Sequence, residues 1–148
     1  METYIEASHI RCMKTEILPG NLHSTKIIEG FELHGILEQN KELIISAAPF
    51  MKHLYNFVKG SEFFALLCDR EGCILNVVGD EEILLEASKL KMIAGAYMDE
   101  AHIGTNAMSL ALSEGVPVQV SGKQHFINAY HKWSCRYNKF FVLFQDSV

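Results

Sequence analysis

The chain has 148 residues, 49% of them hydrophobic and 21% charged, with a formal net charge of −5. That suits one globular domain with a real core and excludes a comfortable pair of domains; the acidic balance argues against a broad phosphate-binding surface, which is built from Lys and Arg. No apolar run reaches the roughly 18 residues needed to cross a bilayer, and Met1 to Glu6 lacks the basic-then-apolar pattern of a signal peptide, so a cytoplasmic location is expected.

In chain order, residues 1–60 read as a mainly helical lead-in. Leu33, Ile36, Leu37, Ile44, Ala47, Met51, Leu54 and Val58 recur at three- and four-residue steps, the spacing of an amphipathic helix, and Pro49 is expected to kink or divide it. Glu62 to Cys68 and Cys73 to Val78 are short β-branched and aromatic runs around Asp69-Arg70-Glu71-Gly72, an antiparallel hairpin with glycine in its turn. Asp80, Glu81 and Glu82 open a helix that Lys89 and Lys91 close, matching the macrodipole at both ends. A Thr105 helix follows, then a strand at 116–121, a helix at about 123–132 and an apolar strand near 140–144. The pattern predicts an α+β fold, an antiparallel sheet flanked by helices over the single span 1–148.

Enzymatic readings find little support. Gly122-Lys123 lacks the glycine spacing of a phosphate loop, and Gln124 stands where Ser or Thr would bind magnesium. Seven histidines form no His-Glu-x-x-His pattern, and no nucleophile has a base at a recognisable spacing. Cys12, Cys68, Cys73 and Cys135 give no zinc pattern and are read as buried thiols, reduced even where Cys68 and Cys73 flank the hairpin turn. No metal and no cofactor are expected.

The informative stretch runs from Glu100 through Gly104-Thr105-Asn106-Ala107 to Leu112, followed by Pro117-Val118, Gln124-His125-Phe126 and Trp133-Ser134-Cys135. Thr and Asn before an apolar helix serve first as caps. In this order, and with Gly95 upstream, the segment resembles the GAF sensor domain at the amino end of sigma-54-dependent, acetoin-regulator-type transcription activators. Ser8 to Cys12 and Phe63 to Asp80 extend that resemblance over nearly the whole chain. Ser109 departs from a usual glycine and Gln124 from a usual glutamate. The thirteen residues after Cys135 offer one strand where the family has a hairpin, so the sheet is expected to lack a terminal strand and to leave an open edge.

The resemblance implies a sensor without chemistry of its own, binding a small polar metabolite such as acetoin or a short polyol. Its pocket is expected to gather Tyr97, Glu100, His102, Thr105, Asn106 and Trp133. It further implies a homodimer formed through helices, and a chain without the ATPase and helix-turn-helix domains of a complete regulator, hence a sensor fragment or a stand-alone relic that does not bind nucleic acid directly. Two alternatives remain: a thiol enzyme resembling the free methionine sulfoxide reductases built on GAF folds, and a ligand-free dimerisation domain.

Overall fold

The computed structural model describes residues 2–138 and 141–146. It contains helices α1 (Glu2–Cys12), α2 (Gly30–Gln39), α3 (Lys41–Val58), α4 (Glu81–Lys89), α5 (Glu100–Ile103) and α6 (Ala107–Glu114), and strands β1 (Phe63–Cys68), β2 (Ile74–Gly79), β3 (Gln119–Ser121), β4 (Trp133–Asn138) and β5 (Phe141–Asp146). All five strands join one sheet in the order β2-β1-β5-β4-β3, and every neighbouring pair is antiparallel. The α+β expectation is borne out.

The two faces of the β1–β2 hairpin separate by the period-two rule of a strand. Phe64, Leu66 and Ile74 enter the main core with α1, α4 and α6, where Trp133, Tyr130, Met98 and Met108 also lie. Leu67 and Leu75 pack against Ala47 and Met51 of α3, with Ile36 and Leu37 of α2 alongside. Helices α2 and α3 therefore cover one face, and α1 with the segment from Met98 to α6 belongs to the other.

Three expectations are corrected. The lead-in helix divides at Asn40, not at Pro49: Asn40 Nδ2 donates to the Ile36 carbonyl at 2.9 Å, ending α2 with its own amide, while its carbonyl accepts from Ile44 N to begin α3. Pro49 lies inside α3 on the exposed side next to Ile45, where the carbonyl it leaves without an N–H partner faces water. The helix expected at 123–132 is two short 3-10 turns, Gly122–Gln124 and Asn128–Tyr130, separated by His125 and Ile127 in extended conformation.

The third correction concerns the sheet. β4 begins at Trp133 itself and pairs with β5 from Trp133↔Asp146 to Asn138↔Phe141, and β5 inserts between β4 and β1. The terminal hairpin is present, and the last strand is interior instead of lying beside an open edge. The expected strand start at Lys139 and Phe140 lies outside the described residues. The edge strands are β2 and β3, and β3 has only three residues. Ser121 N donates to Gln124 Oε1 at 2.9 Å, so part of that edge is already occupied, a common way of blunting it.

Candidate functional site

The segment from Tyr97 to Glu114 is shaped by side chains bonding to main chain. Asn106, the N-cap of α6, is buried, and Oδ1 accepts from Met108 N (2.9 Å) and Ser109 N (3.1 Å). Nδ2 donates to the carbonyls of Met98 and Gly104, both at 2.9 Å. Both acceptor and both donor positions of the amide are thus filled. Ser109 completes a capping box by accepting from Asn106 N at 3.2 Å. The two departures from the family pattern have structural reasons: Ser109 closes the cap of α6, and Gln124 closes an equivalent box with Ser121.

Gly104 is required where it stands. Its φ is +81°, and a Cβ there would lie 2.7 Å from Cβ and 2.8 Å from Cδ1 of Phe126. Gly95 is tighter still, since an added Cβ would lie 2.1 Å from the Ile28 carbonyl oxygen. Both glycines of the motif hold a close approach between chain segments.

Glu100 and Thr105 meet α1. Ser8 Oγ donates to Glu100 Oε2 at 2.7 Å and lies 2.7 Å from Thr105 Oγ1; Cys12 Sγ is 3.5 Å from the same threonine oxygen. Ser8, Cys12 and Thr105 are buried. Arg11 grips Glu100 with two bonds, Nε to Oε1 at 2.7 Å and a terminal guanidinium nitrogen to Oε2 at 2.9 Å. Burial pushes the Glu100 carboxyl up, but the bonds from Arg11 and Ser8 outweigh it and hold the group below its ordinary value.

Tyr97 and His102 form a second cluster. Their rings pack edge to face at 6.1 Å, the Lys26 ammonium lies 4.1 Å over the Tyr97 ring, and His102 Nδ1 donates to Asp99 Oδ1 at 2.7 Å. Burial, with the neighbouring Cys73 and Asp69, pushes the Tyr97 hydroxyl up to about 12. Trp133 lies in a third place, buried against Tyr130 at 5.3 Å and Phe64 at 5.6 Å.

The six expected site residues therefore fall into separate environments. Glu100 and Thr105 share Ser8, Tyr97 touches His102, Asn106 ties Met98 to α6, and Trp133 is core. A groove of about 930 Å³ opens elsewhere, between Ile5, Glu6, His9 and Ile10 of α1 and Gln119, Ser121, Lys123 and Gln124, and none of the six lines it. Sequence reading missed Ser8 and Arg11 as the partners of Glu100; no local pattern signals contacts made across 92 and 89 positions.

Two thiols, Cys68 and Cys73, are poorly activated. Burial raises Cys68 to about 12 and Cys73 to about 11, with Asp69 adding to both, and Cys12, Cys68 and Cys73 are free. The Cys135 side chain lies outside the described residues. No group of three or more His, Cys, Asp or Glu side chains among the described residues could hold a metal ion, and no described helix is long and apolar enough to cross a membrane.

Comparison with known proteins gives the class first: a regulatory domain of transcription-control proteins. Over 131 residues, 88% of its length, the chain is 37% identical to the signal-transduction and transcriptional-control protein of Clostridium beijerinckii. It is 32% identical over 131 residues to the acetoin dehydrogenase operon transcriptional activator AcoR of Bacillus subtilis, and 32% identical over 106 residues to the glycerol metabolism operon regulatory protein of Citrobacter freundii. The chain spans about a fifth of the first two relatives, 21% and 22%. No family model matches it. In fold it superposes on a chain of the crystal structure of the E. coli DhaR(N)-DhaL complex with a TM-score of 0.82, covering 95% of this chain and 50% of that one at 23% identity. The chain belongs with the amino-terminal sensor domains of acetoin-regulator-type transcription activators, as the motif order implied.

Proposed function

We propose that the chain is a GAF-type sensor module of a sigma-54-dependent operon activator, working in the cytoplasm without catalytic chemistry and responding to a small polar metabolite. The observation that carries this reading is the 131-residue alignment with operon regulators. The local chemistry suits it: Glu100 and Thr105 present a carboxylate and a hydroxyl to the hydroxyl of Ser8, the donor and acceptor pair that holds an alcohol group. Asn106, with its amide saturated, acts here as a scaffold for that corner.

The exposed stripe Leu43, Phe50 and Phe57 on α3 has heptad spacing, which places it on one helix face. It supports association as a homodimer. A protein partner is the second reading, favoured by Phe31 at 97% exposure and by the complex that DhaR(N) forms with DhaL. A thiol-enzyme reading through Cys68 or Cys73 is disfavoured, because a thiol raised to about 11 or 12 is scarcely ionised at neutral pH.

Calorimetry and thermal shift with acetoin, glycerol and dihydroxyacetone test the sensing reading, with Glu100→Gln as the control. Saturable binding that the variant weakens supports it; no heat and no shift with any of the three removes it. Sedimentation of the same samples checks the dimer, and Phe50→Glu is expected to yield monomers.

A further inference from the structure

α1 directs two side chains at one carboxylate. Ser8 is fully buried and stands between Glu100 Oε2 and Thr105 Oγ1, 2.7 Å from each, while Arg11 closes over both Glu100 oxygens from the rim. Ile5 and Cys12 beside Ser8 on the inward face are apolar and buried, so the serine is the polar group that α1 carries into the interior. A buried hydroxyl is tolerated only when paired, and this one is paired on both sides.

The way α1 is fastened matters as much. Among the described residues no main-chain hydrogen bond joins it to the rest of the domain beyond its own carboxyl end. Side chains hold it: Ile5 and Cys12 in the core, Ser8, Arg11, and His9, whose Nε2 lies 2.6 Å from the Gln124 carbonyl and whose ring meets Phe126 edge-on at 5.8 Å. A helix held in this way can leave as a unit.

We propose that α1 is an internal plug, its Ser8 hydroxyl occupying a hydroxyl-recognition site made by Glu100 and Thr105, and that a hydroxyl-bearing effector competes with α1 for that site. The proposal rests on the metabolite-sensing reading and supplies its switch. The hydroxyl of a vicinal diol or a hydroxyketone takes the place of Ser8 on Glu100 Oε2 and Thr105; in a diol, the second hydroxyl donates to Oε1 in place of Arg11. Departure of α1 also frees the Gln124 carbonyl and removes one wall of the groove beside β3, so occupancy at Glu100 is read out at the sheet edge.

Hydrogen exchange by mass spectrometry on the whole chain, with calorimetry using glycerol and acetoin, tests this. In Ser8→Ala and in Arg11→Gln, residues 2–12 are expected to exchange at least about tenfold faster, because each variant removes charge-assisted bonding to Glu100, while β1 and β2 exchange as in the wild type. Affinity for the probe should rise in both variants, because the competitor is weakened, and Thr105→Val should abolish binding. Arg11 is half exposed, so its variant carries the test if Ser8→Ala fails to fold. Binding to the wild type that both variants leave unchanged or weaken keeps the sensing reading and overturns the plug. Unaltered exchange of α1 overturns it as well, and a freed α1 with no binding of either probe overturns both readings.

Discussion

Asn106→Ala is expected to destabilise the domain by about 4 kcal/mol, well above the cost of a lost helix cap. A cap alone is worth about 1 kcal/mol. Here the side chain makes four bonds, two from amides of α6 and two to the carbonyls of Met98 and Gly104, in a site only 1% exposed. At about 1 kcal/mol per bond with buried partners left unpaired, the four losses sum to several times the cap value. Asn106→Asp separates the two halves of the role. It keeps the acceptor for Met108 N and Ser109 N, and a carboxylate suits a helix start, but it turns an oxygen toward two carbonyl oxygens. A pure cap would accept aspartate at no cost; this site should lose about 2 kcal/mol. Urea unfolding followed by Trp133 fluorescence measures both variants. A loss near 1 kcal/mol for alanine, together with a neutral aspartate, would refute the argument and return Asn106 to ordinary capping.

Gly104→Ala should cost about 3 kcal/mol, combining left-side backbone strain with overpacking, because its Cβ would lie 2.7 Å from Phe126 Cβ; a melting temperature within a degree or two of the wild type would contradict this. His125 is buried, and desolvation lowers it to about 4. Its folded pKa lies below the unfolded value, so the unfolded chain takes up the proton first. Its stability contribution is complete above about pH 6.5 and falls by about 3 kcal/mol as pH drops toward 4. Urea midpoints from pH 7 to 4.5 should fall less steeply in His125→Asn, and parallel curves would remove His125 as the cause.

The elements legible in the sequence were those whose signals are local. The β1–β2 hairpin announces itself by two β-rich runs about Gly72, and α4 by acids at one end and lysines at the other. The division of the lead-in helix was misplaced because Pro49 is the louder breaker, whereas Asn40 ends α2 through a side-chain bond to Ile36 that composition does not reveal. The 123–132 segment has helix-compatible residues but is tied down elsewhere, with Phe126 N bonded to the Thr105 carbonyl and Asn128 N to that of Pro19. Counting the terminal strands from Cys135 onward missed that Trp133, Ser134 and Cys135 themselves open β4. At the candidate site, Glu100, Thr105 and Asn106 were recognised by motif order. The partners of Glu100 and Thr105 were not, since Ser8 and Arg11 reach them only through tertiary packing.

The position of β5 has a consequence for how the domain is made. β5, which follows the other four described strands in the sequence, is central in the sheet, with β1 on one side and β4 on the other, and Phe64 waits for Phe144 as its partner. On the ribosome the β1–β2 hairpin can form early, but its inner edge stays unsatisfied until residues 141–146 emerge. Such distant pairing is slow, typically on the order of milliseconds to seconds, and during that interval the exposed edge of β1 is open to strands of other nascent chains. Changes within residues 141–146 should therefore reduce the yield of folded protein more than equal changes in the short strand β3.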